Sequence, residues 1–95
     1  MRKHGKVDDN QKLIVNVLRR IGCSVQSLSS VGGGCPDLLV AVRGTNILME
    51  IKDGSKPASA QRLTDEEATW LNKWKGKSYI VRSTDEAIMV VAREC

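Results

Sequence analysis

Asp37, Glu50 and Lys52 are the residues whose types and spacing could carry chemistry. Side chains on a strand alternate between faces, so Glu50 and Lys52 project from one side with Ile51 turned away. Asp37 joins them if the intervening chain folds back as a hairpin of compatible register. With Arg43-Gly44 as a two-residue loop, Val42 faces Thr45, opposed residue numbers sum to 87, and Asp37 stands opposite Glu50. The two β-carbons are then roughly 5 Å apart. A four-residue loop raises the sum to 89 and sets Asp37 opposite Lys52. Both loops leave the three groups on one face, whereas a three-residue loop without a bulge does not.

Two carboxylates this close in a covered sheet repel, and removal from water raises the cost further. Lys52 offsets one charge. A divalent cation offsets more, and Mg²⁺ or Mn²⁺ prefers carboxylate and carbonyl oxygens. The Ile51 backbone carbonyl, between the two polar side chains, is a candidate third ligand. A cation held there lowers the pKa of a bound water and polarises a phosphoryl oxygen. Lys52 then steadies the attacking water or the charge developing on phosphorus. The plainer alternative is a salt-bridged Glu50–Lys52 pair at a sheet edge. Against it stand the proline beside Asp37, the glycine run just before it and the compatible hairpin.

The elements that must position these groups are legible. Asp8-Asp9-Asn10 precedes Leu13, Ile14, Val17, Leu18 and Ile21, which recur at helical spacing, with Gly22 to close the far end. The pattern predicts a helix from about Asn10 to Ile21. Cys23 to Leu28 alternates as a half-exposed strand does. Gly32-Gly33-Gly34 breaks the chain before two β-rich runs, Pro36 to Val42 and Ile47 to Ile51, joined through Arg43-Gly44-Thr45-Asn46. Both runs are apolar on each face, which predicts a sheet covered on both sides. After a polar loop from Asp53 to Arg62, Thr64-Asp65-Glu66-Glu67 forms a capping box. The helix it opens carries Trp70, Leu71 and Trp74 and should end near Gly76. Ser78 to Val81 reads as a strand. Ser83-Thr84-Asp85-Glu86 is a second capping box, opening a last helix through Ala87, Ile88 and Val91. The order helix, strand, strand, strand, helix, strand, helix makes an α/β domain with a mixed sheet.

A chain of 95 residues suits one domain spanning 1–95, with residues 1–7 expected as a flexible basic tail. Apolar residues make up 41% and charged residues 27%, the balance of a globular rather than a disordered protein. No apolar run is long enough to span a bilayer and no signal-peptide pattern opens the chain, so a cytoplasmic location without membrane contact is expected. Cys23, Cys35, Cys95 and the single His4 have no zinc-ligand spacing and read as reduced thiols and a tail residue. The net charge of +4 favours polyanionic partners. Only Trp70, Trp74 and Tyr79 are aromatic, too few and too clustered for a base-stacking platform, so nucleic acid should be held by its backbone.

Pro36-Asp37 followed by Glu50-Ile51-Lys52 resembles the PD-(D/E)xK nuclease motif. The ordered set is similar, over nearly the whole chain, to the virus-type replication-repair nuclease (VRR-NUC) domain. It comprises an acidic and amide cluster leading the first helix, Gly34-Cys35-Pro36-Asp37-Leu38-Leu39, Met49-Glu50-Ile51-Lys52, Leu63 to Glu67, and Ile80 to Ala87. The resemblance implies a restriction-endonuclease-like core and a Mg²⁺- or Mn²⁺-dependent endonuclease that hydrolyses DNA phosphodiester bonds. It implies action on branched or Holliday-junction-like DNA in replication, recombination or repair. Stand-alone domains of this size resemble those of bacteriophages and prophages, which would place the protein in a bacterial cytoplasm. Asp37, Glu50 and Lys52 match the catalytic positions, with Asp37, Glu50 and the Ile51 carbonyl as metal ligands. Many such nucleases place a Glu on the first helix; the nearest residues here are Asp8, Asp9, Asn10 and Gln11, where Asp and Asn equally suit a helix cap. Several have Gln on the second helix, where this chain offers Glu67, which its capping box also explains.

Arg19, Arg20, Lys56, Arg62, Lys73, Lys75 and Lys77 are candidate phosphate contacts, each also explicable as a solvated charge. None is suited to reading bases by itself, which points to structure-selective cleavage. Symmetric cutting of a junction needs two active centres, so a homodimer is expected. The rival reading is a non-catalytic nucleic-acid-binding module of the same fold.

Overall fold

The structure, a computed structural model, describes residues 8–94. The basic tail expected over residues 1–7, with His4, and Cys95 lie outside the described residues. The elements are α1 (Asp9–Arg20), β1 (Ser24–Ser27), β2 (Leu38–Val42), β3 (Thr45–Ile51), a single 3₁₀ turn (Ala58–Gln61), α2 (Asp65–Lys73), β4 (Ser78–Val81) and α3 (Thr84–Glu94). The expected order stands, and the polar loop gains its one 3₁₀ turn.

Local chemistry sets the ends of α1. Asp8 accepts a hydrogen bond from the Gln11 backbone N–H at 2.9 Å, and Arg19 and Arg20 sit in the last turn where the helix dipole favours cations. Gly22, at φ +103°, lets the chain reverse. Its N–H reaches the Arg19 carbonyl and the Cys23 N–H reaches that of Leu18, which is a Schellman closure with buried Leu18 and Cys23 in apolar contact range.

The four strands lie in the order β1-β2-β3-β4, antiparallel except for the parallel β3–β4 pair. Val42 pairs with Thr45, so the hairpin loop is Arg43-Gly44 and the register is the one that sums to 87. Both loop residues have positive φ, +50° and +78°, the turn whose twist matches that of paired strands. This register puts Leu38, Val40, Ile47, Met49 and Ile51 on one face, where they form the core with Ile14, Leu18, Val81, Ala87, Val90 and Val91. Helices α1 and α3 therefore cover that face.

The opposite face carries Leu39, Leu48, Glu50 and Lys52. Leu48 and Glu50 are buried there, but Leu39 stays exposed, so this side is only partly covered, contrary to the sequence reading. The cover comes from α2. Thr64 and Glu67 close the expected capping box, the Glu67 N–H donating to Thr64 Oγ1 and the Thr64 N–H to Glu67 Oε1. Gly34, at φ +88°, seats the first turn of α2, since a Cβ there would lie 2.4 Å from the Glu66 carbonyl oxygen.

The second capping box differs in detail. Ser83 Oγ accepts the Glu86 N–H, but the Glu86 carboxylate reaches back one residue further, to the Arg82 N–H at 2.8 Å. Ile88 faces solvent, and Val90 takes its expected place in the core beside Ala87 and Val91.

Candidate active site

The edge of the β2–β3 ladder creates the first feature of the site. Pairs Val42–Thr45, Val40–Ile47 and Leu38–Met49 point their backbone groups at each other, and the next such pair is Pro36 with Ile51. Proline has no N–H to give to the Ile51 carbonyl. The Ile51 N–H is instead taken by Asp37 Oδ2 at 2.7 Å. Asp37 thus grips the end of β3 through a backbone donor, and the Ile51 carbonyl beside it lacks a ladder partner.

Glu50 projects from the same face and is only 3% exposed. Lys52 Nζ lies 3.5 Å from Glu50 Oε2 and 2.9 Å from Glu67 Oε1. Two carboxylates therefore hold one ammonium. Burial first, then the charges of Asp37 and Glu67, push the Glu50 carboxyl up to about 9, so it holds a proton at neutral pH. Burial also raises Asp37, partly opposed by the Ile51 N–H. Burial pulls Lys52 down, but its bond to Glu67 and the nearby charges outweigh it and the net shift is upward. For Glu67 burial is overcome by the Thr64 N–H and Lys52, leaving it below the usual value. Cys35 is raised by burial and then by the charges of Glu50 and Asp37, which places its thiol near the same cluster.

The site residues expected from sequence thus fall into groups. Asp37, Glu50, Lys52 and Glu67 are together. Asn10 is nearby in a tethering position, its Nδ2 donating to the Lys52 carbonyl at 2.8 Å and the Arg82 carbonyl at 3.4 Å. Gln11 is buried on the core face of α1 with its side-chain amide unbonded among the described residues. Asp8 is the cap of α1, and Asp9 is exposed at the rim of a cleft of about 560 Å³ shared with Asn10, Asp53, Gln61, Arg82 and Glu86. That cleft adjoins the carboxylates without including them.

The basic candidates are scattered. Arg19 donates to the Val25 carbonyl at 3.0 Å, and Arg20 follows it at the far end of α1, about 15 Å from Asn10 along the axis. Lys77 pairs with Glu94 at 2.7 Å. Lys56, Arg62, Lys73 and Lys75 are exposed. Sequence reasoning missed Arg82, whose Nε donates to Gln61 Oε1 at 3.0 Å and which borders the large cleft. Its position directly after β4, parallel to the strand bearing Glu50, was the available signal.

Among the described residues no three His, Cys, Asp or Glu side chains converge to hold a metal by themselves. A cation would draw on two carboxylates, the Ile51 carbonyl and water, a set that suits Mg²⁺ or Mn²⁺. The fit rests on the crowding of Asp37 against the buried Glu50 and on the Ile51 carbonyl, which meets no ladder donor among the described residues. No helix among the described residues is long and apolar enough to cross a membrane.

A solved structure described as a VRR_NUC domain superposes with a TM-score of 0.67, covering 90% of this chain and 92% of that one at 22% identity. This chain has the fold of a VRR_NUC domain. No family model and no curated protein sequence matches it.

Proposed function

We propose that this VRR_NUC-like chain is a metal-dependent endonuclease that hydrolyses DNA phosphodiester bonds, with Asp37, Glu50 and Lys52 as its catalytic residues. The observation that carries the reading is the buried Glu50 carboxyl, crowded by Asp37 and Glu67 and facing Lys52 at 3.5 Å. A sheet has no stability reason to bury such a cluster, since apolar residues of like size cost less.

Asp37, Glu50 and the Ile51 carbonyl would hold Mg²⁺ or Mn²⁺. Such an ion, when bound, supplies Lewis-acid polarisation of the phosphate and acidifies water at neutral pH. Asp37 fixes the end of β3 through the Ile51 N–H, which keeps the ligand carbonyl in place. Glu50 would serve as a ligand in its ionised form. Lys52, held by Glu67, presents an ammonium where negative charge grows on the phosphoryl oxygens. Glu67 positions that ammonium without needing to touch substrate.

Structure-selective action on branched DNA, Holliday junctions included, is part of this reading. Its support is that the exposed cations Lys56, Arg62, Lys73 and Lys75 are suited to phosphates. A homodimer would provide the two centres that symmetric cutting requires.

The test is incubation with branched and linear DNA, with Mg²⁺, with Mn²⁺ and with EDTA. Cutting should need the metal, and Asp37→Ala and Glu50→Ala should abolish it while the chain remains folded by circular dichroism. Binding without cutting in either metal would leave the chain as a nucleic-acid-binding module and end the nuclease reading.

A further inference from the structure

Trp70 and Trp74 stand one helical turn apart and stack, with ring centroids 4.8 Å apart and planes at 21°. Trp74 is 46% exposed, an unusual state for an indole in a chain with only two of them. The backbone sustains that exposure. Trp74 ends α2 in an extended conformation, and the chain then turns at Gly76, where a Cβ would come within 2.8 Å of the indole Nε1. The glycine therefore lets the chain pass the ring edge and leaves the outer ring face open.

The surrounding charge is polarised along the helix. Asp65, Glu66 and Glu67 occupy the first turn, whereas Lys73 closes the last and Lys75 follows it, both exposed. A shallow cleft of about 380 Å³ opens beside Trp70, bordered by Gly33, Thr69 and Lys73, with the acidic first turn at its far end. Glu67, Trp70 and Trp74 share one stripe of the helix, and Glu67 holds Lys52. Seven residues separate Glu67 from Trp74, about 10 Å along the axis. That is the length of roughly three nucleotides at the rise of a stacked strand.

Two indoles are too few for the extended base-stacking platform that the sequence argues against, yet one exposed indole flanked by two lysines suits a single flat ring joined to phosphates. A purely apolar partner would leave Lys73 and Lys75 uncompensated, and a duplex presents no free base face except at its ends. We propose that the Trp70–Trp74 stack, with Lys73 and Lys75, binds an unpaired base and its flanking phosphates in single-stranded DNA, about three nucleotides from the bond to be cut. The choice of DNA and the placement relative to a cut bond rest on the nuclease reading; the stacking itself does not. An unpaired segment beside a cutting site is what branched DNA supplies and linear duplex does not.

Both tryptophans of the protein are in this stack, so fluorescence excited selectively at tryptophan, beyond the absorption of Tyr79, reports on it alone. The full chain carrying Asp37→Ala, in EDTA, is titrated with a thymidine oligomer, a uridine oligomer and a duplex of equal length. The thymidine oligomer should quench the fluorescence and the duplex should not. Anisotropy of a labelled thymidine oligomer should show binding weakened about 5- to 150-fold by Trp74→Ala, the range for losing one stacked base, and largely kept by Trp74→Phe. Lys73→Glu with Lys75→Glu should weaken binding and flatten its salt dependence. Unchanged fluorescence when anisotropy shows the strand bound, equal quenching by duplex, or parental affinity in Trp74→Ala would overturn the proposal. Tighter binding of the uridine oligomer would overturn the assignment to DNA. Because cleavage plays no part in these readings, failure of the nuclease assay leaves them intact, and the reverse also holds.

Discussion

Replacing Glu50 by Gln keeps the shape of the side chain and removes the group that burial and its neighbours push up to about 9. An unfolded glutamate titrates near 4.5, so the folded chain binds this proton far more tightly than the unfolded one. The stability that the bound proton contributes is therefore complete below pH 4.5 and drains away as the pH climbs toward 9. At neutral pH the unfolded carboxyl has ionised while the folded one has not, and the difference is about 3 kcal/mol as a ceiling. Water entry and movement of Lys52 will reduce this to about 1–2 kcal/mol, a shift of roughly 5–15 °C in a domain of this size. Asp37, also raised, acts in the same direction. Glu67, which is lowered, acts oppositely; its contribution is present above its ordinary value and fades as the pH falls.

Thermal unfolding followed by circular dichroism in EDTA, at about pH 5 and about pH 8, measures the effect. The parent chain should lose part of its midpoint over that interval, and Glu50→Gln should lose less and be the more stable of the two at the higher pH. Added Mn²⁺ should raise the parent's midpoint, as any ligand selective for the folded state does, and leave the variant nearly unmoved. A parent midpoint that is flat or rising with pH, together with a variant no more stable than the parent, would refute the picture of a crowded acid that a cation relieves.

Lys52→Ala removes an ammonium that competes with a cation for Glu50, so Mn²⁺ should bind at least as well by calorimetry while cleavage falls by ~10²-fold or more, about 3 kcal/mol of lost charge stabilisation; loss of both together would make Lys52 structural only. Glu67→Gln keeps an oxygen for the Thr64 N–H and should retain stability within about 1 kcal/mol, whereas Glu67→Ala should cost about 1–2 kcal/mol in denaturant titration and lower cleavage as well. Equal cleavage by Glu67→Ala and the parent would remove Glu67 from any positioning role.

The shared face of Asp37, Glu50 and Lys52 was legible from local loop length, because the two-residue and the four-residue loop both preserve it, and the structure takes the first. A two-residue loop at Arg43-Gly44 fixes every opposed pair. The helix ends were legible for the same reason, since Asp8, Gly22, Thr64 and Glu67 act within a turn of themselves. What escaped depends on contacts between distant segments. The Asn10 amide reaches carbonyls 42 and 72 residues away, and nothing around Asn10 announces it. Ile88 and Val90 are both apolar but lie on nearly opposite sides of the helix, so only the placement of α3 over the sheet decides which is buried. The indole stack escaped because four-residue spacing permits contact but does not make the rings parallel or leave one of them in solvent.

Glu67 joins the two halves of the molecule. One oxygen, Oε1, accepts both the Thr64 N–H that begins α2 and the Lys52 ammonium just beyond β3. Sliding α2 by one turn would break both bonds at once and take the Glu66 carbonyl out of the space that Gly34, lacking a Cβ, leaves for it. The start of α2 is thus fixed to the carboxylate cluster, and the nine residues of the helix carry that registration to the Trp70–Trp74 stack at its other end. Lys52 takes part in both relations. Its ammonium lies 3.5 Å from Glu50, and its bond to Glu67 ties the cluster to the helix that carries the indoles. Position as well as charge explains why a long, flexible ammonium is held here by both Glu50 and Glu67.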